Sequence, residues 1–217
     1  MDINSLRRVD PGYRAPKGDI RFSRVEIIHI LIAVIVLSVA FTAILYRGSR
    51  LNYDSYVLNL VELFAVALLL VVCSFMLHEF GHKFVAQRYN VWSEFRVYPS
   101  GLMIALLFSL VAGFLFAAPG AVYIRGNVDR EMNGKISLAG PAVNFAVAAV
   151  AMALCFSVGG LWGILPMLLY LNAVLGLFNM IPVLPFDGSK IFAWSKLAYV
   201  AAIAVGAAEM AVYFLYV

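Results

Sequence analysis

The stretch from Val97 to Ile124, VYPSGLMIALLFSLVAGFLFAAPGAVYI, runs for 28 residues without Asp, Glu, Lys or Arg. One helix of that length crosses a bilayer, but a hairpin that enters and leaves on the same side also fits. The breaks needed for a hairpin are present in Tyr98-Pro99-Ser100-Gly101, Gly113 and Ala118-Pro119-Gly120. The basic residues separate the two readings. If the stretch re-enters, 14 Lys and Arg share one side of the membrane and only Arg47 and Arg50 lie on the other; if it spans, the division is 9 against 7. Basic loops are retained in the cytoplasm, so re-entry is expected, with the amino terminus cytoplasmic. Irregular backbone at membrane depth requires cover from protein or a water-filled cavity.

Outward from this stretch the chain is a series of apolar spans. Ile27–Tyr46 has 20 residues without a charged side chain, the length needed to cross about 30 Å of hydrocarbon. A second span, about 57–83, contains Glu62, His78, Glu79 and His82. The segment Ile136–Phe186 is uncharged over 51 residues and accommodates two helices with Gly159-Gly160 as the turn, and a last span runs from Leu197 to Val217. The expected fold is an all-α polytopic membrane protein with about five transmembrane helices and a re-entrant hairpin, β-rich or part helical, before the third. Residues 1–26 carry six basic residues among prolines and glycines and read as a cytoplasmic arm that does not pack; residues 27–217 read as one membrane domain with a core at about 57–195.

Composition agrees. Of 217 residues 64% are hydrophobic and 13% charged, with a mean hydropathy of +0.92, which excludes disorder and an ordinary soluble domain. The net charge of +4 comes from basic residues beside apolar spans, so it reads as topology and not as a nucleic-acid footprint. Cys73 and Cys155 stand apart in apolar runs and suggest neither a disulfide nor a cysteine metal site.

His78-Glu79-Phe80-Gly81-His82 puts two of the chain's three histidines at positions i and i+4 of one helix, where their imidazoles can share a zinc ion. Glu79 lies about 100° around the helix from His78 and flanks the metal. Zinc activates water and polarises a carbonyl, and the glutamate takes the water's proton and returns it to the leaving amine, so the expected chemistry is metal-assisted amide hydrolysis. Ionisable groups are costly in lipid, which makes a chance triplet a poor explanation.

A third protein ligand is expected. Glu62 is excluded, being about 24 Å along the same helix. His29 and Glu209 are not excluded by distance. Asp187 sits in the unusual sequence Asn179-Met180-Ile181-Pro182-Val183-Leu184-Pro185-Phe186-Asp187-Gly188, where the prolines unwind a helix end and let the acid turn inward. In the re-entrant topology the helices bearing His78 and Asp187 both run toward the cytoplasm and bring the two groups to similar depth. Asn179 has two readings, an interhelical hydrogen bond or a hold on substrate backbone or the oxyanion. Gly140-Pro141 and Asn144 read as structural features at the start of the third helix.

These residues resemble the site-2 protease family of intramembrane zinc metalloproteases, in its compact prokaryotic form. The resemblance covers about residues 57–195 and rests on His78-Glu79-x-x-His82, on Asn179-x-x-Pro182-x-x-Pro185-x-Asp187-Gly188, and on Gly140-Pro141 between them. It implies one zinc ion held by His78, His82 and Asp187, with Glu79 as general base. It also implies that Asn179 positions the scissile segment, and that a re-entrant β-rich element presents an edge to the substrate. Leu102–Phe116 is long for a plain β-hairpin, and neither a PDZ-like insertion nor a nucleotide-sensing domain is found.

The expected function is an intramembrane zinc endopeptidase acting on a transmembrane or membrane-adjacent segment of another protein. It would sit in the cell membrane as a multi-pass protein, with its active site toward the cytoplasmic side. The expected partners are that substrate and the lipid bilayer, with no nucleic acid. A metal transporter would need several sites along a route, and an inactive helix-gripping relative would have no use for Glu79 beside a full ligand set.

Overall fold

The computed structural model describes residues 20–48, 56–114, 119–157 and 163–216. They form α1 (Arg24–Gly48), α2 (Tyr56–Val71), a π-helical turn (Val72–Met76), α3 (Leu77–Arg88), β1 (Trp92–Val97), α4 (Pro99–Val111), β2 (Gly120–Arg125), α5 (Arg130–Ser157), α6 (Ile164–Asn179), α7 (Asp187–Trp194) and α8 (Lys196–Tyr216). The caps of the π turn keep helical backbone angles, so α2, the π turn and α3 are one continuous rod. By length and composition four helices suit a membrane crossing: Arg24–Gly48, Asn59–Arg88, Arg130–Ser157 and Lys196–Tyr216. The helix expected as a further crossing, α6, has 16 residues, about 24 Å, and is shorter than the hydrocarbon core. The Gly159-Gly160 turn lies outside the described residues.

The 97–124 stretch is both β and helical. β1 and β2 pair antiparallel from Trp92↔Arg125 to Val97↔Gly120, so the two ends of the segment are neighbours and the chain returns to where it left. Between them Pro99 occupies the first turn of α4, where its missing N–H costs nothing. α4 packs Leu102 and Ala105 against Leu37 and Val71. It follows α1 for most of its length. At one end the Val97 amide donates to His29 Nδ1 (3.3 Å); at the other the Arg47 guanidinium donates to the carbonyls of Leu110 and Val111, the last turn of α4. Those carbonyls have no intrahelical donor, and Arg47 supplies one. The insertion is therefore deep, which charge counting could not reveal because it registers only where a segment starts and ends.

Two helix starts lie upstream of the expected ones. α5 begins at Arg130, with Asp129 Oδ1 accepting from the Met132 amide (2.8 Å) as an N-cap. Pro141 thus lies well inside α5 and not in its first turn, contrary to the sequence reading. α1 begins at Arg24, where Ser23 Oγ accepts from the Glu26 amide (3.1 Å). Ser23-x-x-Glu26 is the spacing of a capping box, but Glu26 turns away from the cap. Its carboxylate accepts from Lys83 Nζ (2.9 Å) and from the Phe95 amide (2.9 Å), while Lys83 also donates to the Ser93 carbonyl (3.0 Å). Phe22 packs edge-on against Phe80, with ring centroids 5.7 Å apart. Within residues 20–26 Glu26 is buried and Phe22 meets Phe80, while Ile20, Arg21, Arg24 and Val25 are exposed; residues 1–19 lie outside the described residues.

The Glu26–Lys83 pair is fully buried on both sides and joins α1, α3 and β1. Removing one partner strands the other charge. Lys83→Met is expected to lower stability by about 3–5 kcal/mol. The double variant Glu26→Gln/Lys83→Met, which keeps an acceptor for the Phe95 amide, is expected to recover most of that loss. Unfolding in detergent followed by circular dichroism measures both, and equal loss in the single and double variants would show that packing, not charge, governs the site.

α5 is the central helix and packs against α3, α6, α7 and α8. Ala148, Ala151, Leu169 and Ala173 form the α5–α6 contact, where small side chains let the backbones approach. Cys73 and Cys155 are free and packed against the same cluster.

Candidate metal centre

The π turn leads directly into Leu77–Arg88, so His78 and His82 project from one face of α3 toward α5 and the start of α7. His78 Nε2 and His82 Nε2 are 3.0 Å apart. Asp187 Oδ2 lies 3.1 Å from His82 Nε2 and 3.5 Å from His78 Nε2. All three residues are buried. Tetrahedral zinc with bonds of about 2.0–2.2 Å separates its donor atoms by about 3.3 Å, so the spacing and the donor set both suit this ion. Among the described residues this is the one group of three or more His, Cys, Asp or Glu side chains placed to hold a metal.

Asp187 reaches the cluster because α6 ends at Asn179 and the chain reverses through Pro182 and Pro185 before α7 starts at Asp187 itself. Gly188 makes the close return possible: a Cβ there would stand 2.1 Å from the Met180 carbonyl oxygen. Lys190 Nζ approaches Asp187 Oδ1 at 3.4 Å. Gly140 of α5 lies opposite. A Cβ on Gly140 would stand 2.4 Å from His82 Nε2 and 2.6 Å from His78 Nε2, so its missing side chain leaves room beside both donor atoms.

Both imidazoles are held from behind. His82 Nδ1 donates to the Ile136 carbonyl (2.8 Å), and His78 Nδ1 is 2.5 Å from Asn144 Oδ1. Each arrangement directs Nε2 at the cluster, the usual support for a metal-ligating histidine. Glu79 is buried beside the cluster, its Oε2 accepting from the Val122 amide of β2 (3.0 Å). Tyr98 and Tyr123 meet edge to face at 6.0 Å. Burial, the Tyr123 hydrogen bond and the charges of Tyr123 and Glu79 push the Tyr98 phenol up to about 12, so it stays protonated at neutral pH.

The structure thus brings His78, His82 and Asp187 together and places Glu79 beside them. Asn179 is outside the cluster and donates from Nδ2 to its own helix at Leu175 (3.0 Å). His29 bonds to β1, Glu62 is exposed on α2, and Glu209 Oε2 is buried on α8 without a hydrogen-bond partner among the described residues. Asn144 and Gly140, expected to be structural features of the helix, both stand at the ligand histidines: Asn144 Oδ1 faces His78 Nδ1, and a Cβ on Gly140 would meet both Nε2 atoms. Their position four residues apart on the α5 face beside the metal was the available signal.

Helices of membrane-spanning length around one buried His-His-Asp group define a multi-pass membrane protein with a single-ion metal site. Over 181 residues, 81% of this chain, the sequence is 39% identical to a protein of Methanocaldococcus jannaschii named "putative zinc metalloprotease", of which the match covers 87%. A second protein of that organism, named "zinc metalloprotease", is 30% identical over 62% of this chain and 35% of its own length. No family model and no solved structure matches. The chain belongs to the zinc metalloprotease family. Its cofactor is zinc, one ion, and His78, His82 and Asp187 are the buried group able to hold it.

Proposed function

We propose that this protein is a site-2-protease-like intramembrane endopeptidase, hydrolysing a peptide bond within or beside a transmembrane segment of another membrane protein. The observation that carries the reading is the bond from the Val122 amide to Glu79 Oε2, which puts the outer edge of β2 next to the buried ligand set. The opposite edge, on β1, is covered by α1 through Glu26 and His29. An extended substrate can add to the β2 edge by main-chain hydrogen bonds once the Val122 amide exchanges its bond to Glu79, and a helix that unwinds to do so exposes amides otherwise closed to attack. Zinc, when bound, supplies an activated water and polarises the carbonyl. Glu79 takes the proton from the attacking water and delivers it to the leaving nitrogen. Asn179, at the end of α6, offers its amide to substrate backbone once its bond to Leu175 is exchanged.

The distribution of basic residues supports a cytoplasmic amino terminus and an active site toward the cytoplasmic side of the cell membrane, with the bilayer as the second partner. The test is cleavage of a single-span substrate by the purified protein in proteoliposomes, with the cut site located by mass spectrometry. Cuts inside or within a few residues of the span, absent after chelation, are expected. Cuts confined to a soluble tail would overturn the intramembrane reading and leave a membrane-anchored peptidase.

A further inference from the structure

We propose that Asn172 and Ser74 are positioning residues that act through Asn144 to determine which nitrogen of His78 carries its proton. Asn172 is fully buried on α6. It donates one Nδ2 proton to Ser74 Oγ (2.9 Å) and the other to the Leu168 carbonyl (2.9 Å). Its Oδ1 therefore faces α5, where it accepts from Asn144 Nδ2 (2.9 Å). The second Asn144 proton goes to the Ser74 carbonyl (3.0 Å).

Only Asn144 Oδ1 remains for His78 Nδ1, at 2.5 Å. An amide oxygen accepts and cannot donate, so His78 carries its proton on Nδ1 and presents the Nε2 lone pair to the cluster. The direction of the chain is anchored by two backbone carbonyls, Leu168 and Ser74, which are acceptors only. Reversing either amide would point an oxygen at one of them. Ser74 lies in the middle of the π turn, where the wider ring gives a side chain from α5 access to a main-chain carbonyl. The π turn, α5 and α6 are thus joined behind one metal ligand.

The inference rests on the zinc site and not on the proposed substrate, so it is tested without a protease assay. In metal-free protein labelled with 15N-histidine, the His78 nitrogen resonances report the tautomer, and competition with a zinc indicator gives the affinity. Asn172→Leu removes one of the two acceptors that hold the Asn144 amide and leaves only the Ser74 carbonyl. The fraction of Nδ1–H tautomer should fall and zinc Kd should weaken about 10–100-fold. Asn172→Asp, as the neutral acid of this fully buried site, keeps an oxygen for Asn144 and a proton for the Leu168 carbonyl and should preserve the tautomer, with Kd within about threefold of wild type, well under the loss expected when outer-shell support is removed. Circular dichroism confirms the fold of each variant. If Asn172→Leu does not fold, Ser74→Ala, which deletes only the hydroxyl, should shift the same resonances in the same direction by less. An unchanged tautomer in the folded variants, or equal loss of affinity in the Leu and Asp variants, overturns the proposal.

Discussion

Glu79→Gln should bind zinc as wild type does and cleave substrate at least about 10²–10⁴ times more slowly, the usual contribution of a positioned general base. The substitution is a sharp probe because glutamine keeps an oxygen for the Val122 amide, which Glu79 Oε2 now accepts at 3.0 Å. The β2 edge and the packing around it are thereby retained, and what is lost is the capacity to accept a proton from water. Glu79 is not among the donors His78, His82 and Asp187, so metal content has no reason to fall. Zinc stoichiometry by elemental analysis and single-turnover cleavage on one preparation measure both arms. Turnover within a few-fold of wild type would remove Glu79 from the mechanism; loss of zinc would mean that it is a ligand.

Gly140→Ala should abolish tight zinc binding while adding one methyl group. The added Cβ would sit 2.4 Å from His82 Nε2 and 2.6 Å from His78 Nε2, inside contact distance of both donor atoms. Relief requires one of three moves. The imidazoles can swing away and break the bonds from His82 Nδ1 to Ile136 or from His78 Nδ1 to Asn144, or α5 can shift from α3. Each move destroys the geometry that suits an ion, so zinc affinity should drop by about 100-fold or more, beyond the usual effect of losing outer-shell support. Equilibrium dialysis against a competing chelator gives the affinity and circular dichroism the fold. Retention of zinc by a folded Gly140→Ala protein would show that the ion sits elsewhere than between α3 and α5. Asp187→Ala is the companion variant, with zinc weakened by loss of a donor and no steric change.

Much of the site could be read from the chain because it follows local rules. Histidines four apart on a helix share a face whatever surrounds them, and two prolines and a glycine next to an acid announce irregular backbone at a helix end. Pairing that acid with the histidines is not a local matter, and it is the tertiary structure that brings His78, His82 and Asp187 together. The deep insertion of α4 beside α1 escaped the same reasoning, since an uncharged segment looks alike whether it is shallow or reaches Arg47. The fully buried Glu26–Lys83 pair escaped as well, because each residue taken alone looks like a charge flanking a membrane span.

What the sequence alone determined is therefore a set of candidate groups, the His78, His82, Glu79 and Asp187 side chains, and the apolar character of the helices around them, both products of periodicity, hydrophobicity and the cost of charge in lipid. Tertiary structure decided how those groups are aimed. Whether Asn144 merely packs or orients His78, whether Gly140 is a contact or the space for an ion, and which edge of a two-stranded sheet stays open all depend on helices distant in sequence meeting at ångström distances. Hydrogen bonds and steric exclusion act only at that range, and no local pattern in the chain encodes it.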